Sequence, residues 1–84
     1  MMWKAKVEVN LKLGITDAEG ETTRDSLRDL GYSVEKVRVG KVYEVHLHAR
    51  SAEEARKLVN DMCRRLLANP DVKDDYSFEL EEQR

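Results

Sequence analysis

The stretch SVEKVRVGKVYEVHLHA, residues 33–49, decides which fold the sequence predicts. It holds two runs rich in β-branched residues, 33–39 and 42–49, on either side of Gly40 and Lys41. β-branched side chains favour strands because they pack well on a pleated surface. A two-residue loop with glycine in its first position is typical of a type II′ hairpin turn. The stretch therefore predicts a β-hairpin that is closed by Gly40 and Lys41.

The sequence on both sides of this hairpin predicts two more strands and two helices. Apolar and polar residues alternate over residues 3–13 and again over residues 76–80, which is the period of a strand with one buried face. A capping box predicts a helix over about residues 17–30. A second capping box starts another helix after Ser51, and that helix must stop before Pro70, because proline disfavours helix in the residue that precedes it.

These elements follow one another in the order β-α-β-β-α-β, within a single domain that spans residues 1–84. This is the ferredoxin-like order. It predicts an α+β fold in which two helices cover one face of a four-stranded antiparallel sheet. Alternation along the second hairpin strand places Tyr43, Val45 and Leu47 on the helix-covered face.

The amino-acid composition limits the classes of protein to which this chain can belong. The net charge is −2 and 38% of the residues are charged, with both signs mixed, whereas a nucleic-acid-binding protein usually concentrates lysine and arginine on one face. The one cysteine, Cys63, excludes an intrachain disulfide and fits a reducing compartment. No apolar run is long enough for a signal peptide or a membrane span. The sequence thus predicts a cytoplasmic domain, with a core thin enough for partner subunits to add burial.

The junction LKLGITDAEGETT, residues 11–23, raises the question of a metal or phosphate loop. Its acidic residues are Asp17, Glu19 and Glu21. They lack the further oxygen ligands of an EF-hand, and no Gly-Lys-Ser/Thr follows that would cradle a phosphate. A strand-to-helix junction is favoured, since acidic residues suit the positive end of a helix dipole. Gly20 does not fit this view, because glycine inside a helix costs about 1 kcal/mol; close approach of another backbone is one reason to keep it.

Other candidate sites also have a simpler interpretation. His46 and His48 share a strand face with Glu44, which permits a metal site, but neighbours on one strand point in parallel and a polar outer face is favoured. Cys63 lies on the helix stripe, where a small buried hydrophobe is favoured over a nucleophile. An RNA-recognition module would need stacking aromatic residues that the third strand lacks. No catalytic constellation emerges.

Three stretches resemble the PurS family: LKLGITDAEGETTRDSLRDLGY (residues 11–32), VEKVRVGKVYEV (34–45) and MCRRLLANPDVKDDYSFELEE (62–82). The resemblance extends from Lys4 to Glu82. Its most specific residues are Lys12, Gly14, Asp17, Gly20, Val37 to Lys41 and Leu66 to Pro70. The family often has proline where this chain has Leu13 and Ala18.

The resemblance implies a non-catalytic small subunit of phosphoribosylformylglycinamidine synthase. That complex makes formylglycinamidine ribonucleotide from formylglycinamide ribonucleotide, glutamine and ATP in de novo purine biosynthesis. The implied partners are a PurQ-like glutaminase subunit, a PurL-like synthetase subunit and further copies of this chain, as a dimer or tetramer. ATP and magnesium are expected on the large subunit, and no catalytic, cofactor or metal site on this chain. The alternative is a free-standing ACT-like regulatory module that binds a small molecule.

Two groups of residues are predicted to make contacts with other chains. Exposed loop ends on a rigid sheet tend to gather binding residues, so the expected partner contacts are Gly14, Asp17, Gly20, Arg38, Gly40 and Lys41. The hairpin register pairs Val39 with Val42 and puts three valines on an otherwise polar outer face. Such an apolar patch predicts self-association through Val37, Val39 and Val42.

Overall fold

The structure, a computed structural model, describes all residues from 1 to 84. The order of its elements is β-α-β-α-β. They are β1 (Met2–Leu11), α1 (Ala18–Asp29), β2 (Gly40–His48), α2 (Ala52–Met62) with a π-helical turn (Cys63–Leu67), and β3 (Asp74–Gln83). Neither α-helix is long and apolar enough to cross a membrane.

The sheet has three antiparallel strands in the order β2-β1-β3. In the central strand, Lys6 lies opposite Glu44 of β2 and Glu79 of β3. The alternation predicted for β1 is confirmed, since Ala5 and Val7 are fully buried and Lys6 between them is exposed on the other side. A polar outer face and an apolar inner face result.

The predicted hairpin is wrong, and with it the four-stranded sheet. Residues 33–39 form no strand, and Gly40 opens β2 opposite Asn10. A type II′ turn needs a positive φ at its first loop residue, but Gly40 does not have one. A Cβ at Gly40 would come within 3.0 Å of the Val9 carbonyl oxygen and still closer to the Asn10 side chain. Gly40 is therefore explained by its close packing against β1. In the sequence, a glycine at such a position looks the same as a glycine that begins a turn.

The hydrophobic core lies between the sheet and α2. Ala55, Val59 and Cys63 are fully buried against the inner face of β1. The Ser51 hydroxyl accepts a hydrogen bond from the Glu54 amide at 3.1 Å, which confirms the predicted cap. The inward orientation of Tyr43, Val45 and Leu47 is also confirmed, since all three belong to the core or pack against it.

Helix α1 does not share in this core. Its one buried residue is Gly20, none of its side chains packs against the core cluster, and Leu30 at its end is 75% exposed. The expectation that two helices cover the sheet is therefore corrected to one. The reason lies at the start of α1, where the Asp17 carboxylate accepts a hydrogen bond from the Val39 amide and so fastens the helix to residues 37–39 rather than to the sheet.

The molecule is flat and elongated as a result. Its extents are 51 × 30 × 14 Å and its radius of gyration is 16.3 Å, against about 12 Å for a compact domain of this length. A ten-residue strand spans only about 33 Å. The long axis therefore includes α1 and the chain that follows it, residues 18–39, which we call the arm.

Candidate functional site

The arm is joined to the sheet through the carboxylate of Asp17. One of its oxygens, Oδ1, accepts a hydrogen bond from the Gly20 amide at 2.8 Å, which caps α1. The other, Oδ2, accepts from the Val39 amide at 2.8 Å. The bond from Val39 and then the bond from Gly20 hold the pKa of Asp17 below its usual value, because both stabilise the charged form. Asp17 thus ties the beginning of the arm to its end.

Gly20 is explained by the close approach of another backbone, as the sequence suggested. A Cβ at this position would collide with the Val37 carbonyl oxygen and would lie 2.7 Å from Oδ2 of Asp17. No other residue type leaves room for the two segments to pass. Glycine lowers the stability of the helix, but at this position it allows residues 37–39 to lie against the first turn of α1.

Further hydrogen bonds bring three segments to this end of the sheet. Arg38 donates from Nη2 to the Leu11 carbonyl, and the Lys12 amide donates to the Lys73 carbonyl at 2.7 Å. Gly14, with a φ of +89°, turns the chain from β1 toward α1, a backbone angle that glycine adopts without strain. The junction after β1, the end of the arm and the start of β3 therefore form one surface, which we call the junction end.

All six residues predicted as partner contacts lie at the junction end. Gly14, Asp17 and Arg38 line a cleft of about 570 Å³. Asp17 also lines a second cleft of about 210 Å³, together with Gly40 and Lys41. Gly20, in contrast, is buried and offers no side chain to a partner, so its part is to shape the surface.

The three valines predicted for self-association are separated by the structure. Val37 lines the first cleft and Val39 the second. Val42 lies on the outer face of β2, opposite Glu8, and is 58% exposed. Because the hairpin is absent, these residues do not form one patch on one face; their contact with another copy stays a prediction.

Sequence reasoning missed two of the basic residues around the first cleft and the hydrogen bond that supports the arm. Lys36 and Arg24 line that cleft beside Lys12, and neither lysine has a carboxylate within salt-bridge distance. Arg28 donates from Nε to the Val34 carbonyl at 2.7 Å, which fastens the helix to the strand-like part of the arm. Of the basic residues that line this cleft, the family motif pointed to Lys12 and Arg38, and no spacing rule identifies Arg24 and Lys36.

The remaining sequence candidates show no reactive arrangement. Nε2 of His46 lies 3.1 Å from a carboxylate oxygen of Glu44 on the outer face, and this contact holds the pKa of Glu44 below its usual value. No group of three possible ligands is placed to hold a metal ion. Cys63 is fully buried, and burial raises the pKa of its thiol, which disfavours the nucleophilic thiolate.

The Asp17 clamp predicts a pH dependence of stability. Since the pKa of Asp17 is lowered in the folded state, the clamp stabilises fully above the ordinary aspartate pKa and is lost as the pH falls through the lower, folded value. We expect Asp17→Asn to unfold at lower urea concentration than the parent chain at pH 6. That difference should shrink steadily below about pH 4. Asp25→Asn, in the same helix, is the control; a gap that persists unchanged at pH 2 would contradict the clamp.

Comparison with known proteins identifies relatives over nearly the whole chain. The profile of the PurS family, described as phosphoribosylformylglycinamidine (FGAM) synthase, matches residues 4–82. The chain is 48% identical over 67 residues to the phosphoribosylformylglycinamidine synthase subunit PurS of Archaeoglobus fulgidus, an alignment that covers 79% of this chain and 84% of that relative.

Two solved structures share the fold. PurS of Methanocaldococcus jannaschii, one of the subunits of formylglycinamide ribonucleotide amidotransferase in the purine biosynthetic pathway, is 34% identical with a TM-score of 0.86, covering 98% of this chain and 99% of that one. A chain of PurLQS from Thermotoga maritima is 30% identical with a TM-score of 0.88, over 96% and 99% of the two chains. Family profile, sequence and backbone therefore agree that this chain belongs to the PurS family, the PurS subunits of phosphoribosylformylglycinamidine synthase in purine biosynthesis.

Proposed function

We propose that this chain is a non-catalytic subunit that joins the glutaminase and synthetase subunits of the complex and supports the transfer of ammonia between them. The observation that carries the proposal is the backbone similarity to a chain of Thermotoga maritima PurLQS over nearly the full length of both chains. The partners are accordingly a PurL-like synthetase subunit, a PurQ-like glutaminase subunit and further copies of this chain.

The physical need for such a subunit follows from the chemistry. Ammonia that is released at one site and consumed at another escapes to solvent unless the two sites are held together. A subunit that binds both enzymes raises the effective concentration of one at the other without taking part in either reaction. This role requires binding surfaces and no reactive groups of its own.

The junction end is the surface that we assign to the partner subunits. Arg38, Lys41 and Gly14 are exposed there, while Asp17 and Gly20 hold the segments that carry them in fixed positions. Residues fixed in this way lose little conformational freedom on binding, which favours affinity.

ATP and magnesium belong to the synthetase subunit in this proposal. The chain has no glycine-rich phosphate loop in its sequence, and Asp17, one of the three junction acids, is engaged within the fold, since both of its carboxylate oxygens accept backbone hydrogen bonds. We place the complex in the cytoplasm, where the free thiol of Cys63 stays reduced.

Omission of this chain from the reconstituted complex tests the proposal. We expect glutamine-dependent synthesis of the amidine product to fall by at least about tenfold, because without a tether released ammonia escapes before it is used. Synthesis from added ammonium should fall much less, since free ammonia needs no transfer. Product formation and glutamine hydrolysis are measured in parallel at equal subunit concentrations.

Two further measurements make this experiment decisive. The isolated chain should hydrolyse neither glutamine nor ATP, and Lys57→Ala on the exposed side of α2 should support the full coupled rate. If the synthetase and glutaminase subunits alone convert glutamine to product at the full rate, the bridging role is wrong. If the isolated chain turns over either substrate and a substitution in it removes that activity, the non-catalytic assignment is wrong.

A further inference from the structure

Three aliphatic side chains beside the junction end are largely exposed to solvent. Leu13, Leu66 and Val72 are 78%, 83% and 66% exposed. Leu13 lies in the turn after β1, Leu66 in the π-helical turn that ends α2, and Val72 in the turn that leads into β3. Single exposed apolar residues are ordinary on a protein surface, whereas a group of them at one place marks an interaction site.

The sheet places Leu13 and Val72 together. β1 and β3 are antiparallel neighbours. Their ladder continues one pair past the end of the sheet, where the Lys12 amide donates a hydrogen bond to the Lys73 carbonyl at 2.7 Å. Leu13 and Val72 are the next residue in each segment, so this register brings the two exposed side chains next to each other.

Leu66 lies at the same end of the sheet because α2 finishes there. The residue after it, Leu67, packs against the core and lines the second cleft together with Lys73. The π-helical turn that holds both leucines is closed by a hydrogen bond from the Ala68 amide to the Cys63 carbonyl at 2.9 Å. π-helical turns are frequent at functional sites, and this one presents an aliphatic side chain to solvent.

The turn that carries Val72 is held by its own hydrogen bonds. The Asn69 carbonyl accepts from the amides of Val72, Lys73 and Asp74, at 2.9 to 3.3 Å. The carboxylate of Asp74, a buried residue, accepts from the Asn69 amide at 2.9 Å. Val72 is thus fixed in the free chain, so that little conformational entropy is lost when a partner covers it.

Each of the three aliphatic residues has a basic neighbour in the chain. These neighbours are Lys12, Arg65 and Lys73. None of them has a carboxylate within salt-bridge distance. An apolar centre with polar and charged residues around it is the usual composition of a protein–protein interface. We call the three aliphatic and three basic residues the turn patch.

The unpaired charges argue against a second copy as the occupant of the turn patch. In a dimer with a two-fold axis the same surface meets itself, which would put the basic residues of one copy against those of the other. Like charges that face each other across an interface oppose binding. A different protein, with carboxylates around an apolar surface, would instead pair with all three cations.

We propose that the turn patch docks one of the two enzymatic subunits of the complex, through a surface of that subunit that is apolar at its centre and carries carboxylates around it. The inference rests on the proposed function and extends the partner surface onto the turn between α2 and β3, which is not among the predicted contacts. The three aliphatic residues enter the apolar centre, and the three basic residues pair with the carboxylates.

Replacement of the apolar centre tests the docking. Leu66→Ser with Val72→Ser should weaken assembly with the enzymatic subunits by about a hundredfold or more, because each aliphatic side chain buried at an interface contributes at least about tenfold. Sedimentation with the synthetase and glutaminase subunits, separately and together, measures the affinity. Circular dichroism and the midpoint of urea unfolding should match the parent chain, since both side chains are exposed. Lys57→Ser, on the exposed side of α2, is the control and should assemble normally.

Reversal of the charges tests the chemistry of the partner. Arg65→Glu with Lys73→Glu should weaken assembly by at least about tenfold at about 50 mM salt. The difference from the parent chain should shrink at about 1 M salt, where the screening length falls to about 3 Å. Lys57→Glu is the control and should have no effect at either concentration. Tighter assembly of the doubly reversed chain would contradict a partner surface that carries carboxylates.

Sedimentation of each variant without the enzymatic subunits separates the possible failures. If both variants assemble within about twofold of the parent affinity, the turn patch is not a docking surface, while the bridging role stands. If a folded variant forms a smaller oligomer on its own, the patch lies between copies of this chain and the proposal is wrong. A parent chain that binds neither enzymatic subunit overturns the docking and the bridging role together. If the serine variant unfolds, the charge-reversed variant decides.

Discussion

Gly20→Ala is expected to destabilise this protein by roughly 1–3 kcal/mol, the usual cost of overpacking a tight contact. The direction of this change in stability distinguishes Gly20 from an ordinary glycine inside a helix. In an ordinary helix interior the same change would stabilise by about 1 kcal/mol. Here the added Cβ would collide with the Val37 carbonyl oxygen and crowd Asp17, so that the arm must move away from α1 or the cap must break. Urea unfolding followed by circular dichroism measures the change.

The same collision should also distort the junction end, the surface that we assign to the partner subunits. Gly20→Leu introduces a larger side chain at the same place and should weaken assembly with the enzymatic subunits while the chain stays folded by circular dichroism. Ser26→Ala is the matched control, because it also raises helix propensity in α1 but lies in an exposed position. If Gly20→Ala stabilises the chain as much as Ser26→Ala does, the close approach of the arm is not maintained in solution.

Val59→Asp should abolish folding of the chain altogether. Val59 is fully buried on the inner side of α2, where an unpaired carboxylate costs several kcal/mol. A domain of this length is stable by about 4–13 kcal/mol. Because only 11 of its 84 residues are buried, we expect the free energy of unfolding of this protein to lie near the lower limit of that range. We expect loss of the helical signal and of any oligomer at 25 °C.

Lys57→Asp provides the control for this effect, since it puts the same carboxylate two residues earlier, in an exposed position of the same helix. It should remain folded and within about 0.5 kcal/mol of the parent chain, as surface substitutions usually do. A folded Val59→Asp chain with an unchanged midpoint of unfolding would mean that α2 does not form the core with β1.

Several features of the site could be predicted from residues alone. The family motif placed Gly14, Asp17 and Gly20 in one functional junction, and the glycine inside a helix indicated that another backbone passes close to it. What approaches Gly20 could not be predicted, because residues 37–39 reach it only through the fold. The basic side chains around the large cleft come from three segments with no common spacing, so no local pattern joins them.

Local structure could be predicted from the residues wherever a pattern is compatible with one conformation. Alternation set the inner face of β1, and the Ser51 cap set the start of α2. Tertiary structure alone decided residues 33–39 and the position of α1. Their valines fit a strand, and the outer edge of β2 is free to pair, but Asp17 binds the Val39 amide and Gly40 packs on β1 where the predicted turn would lie. Local propensity shows which conformation a segment favours, and only the competition for backbone partners shows whether it becomes a strand.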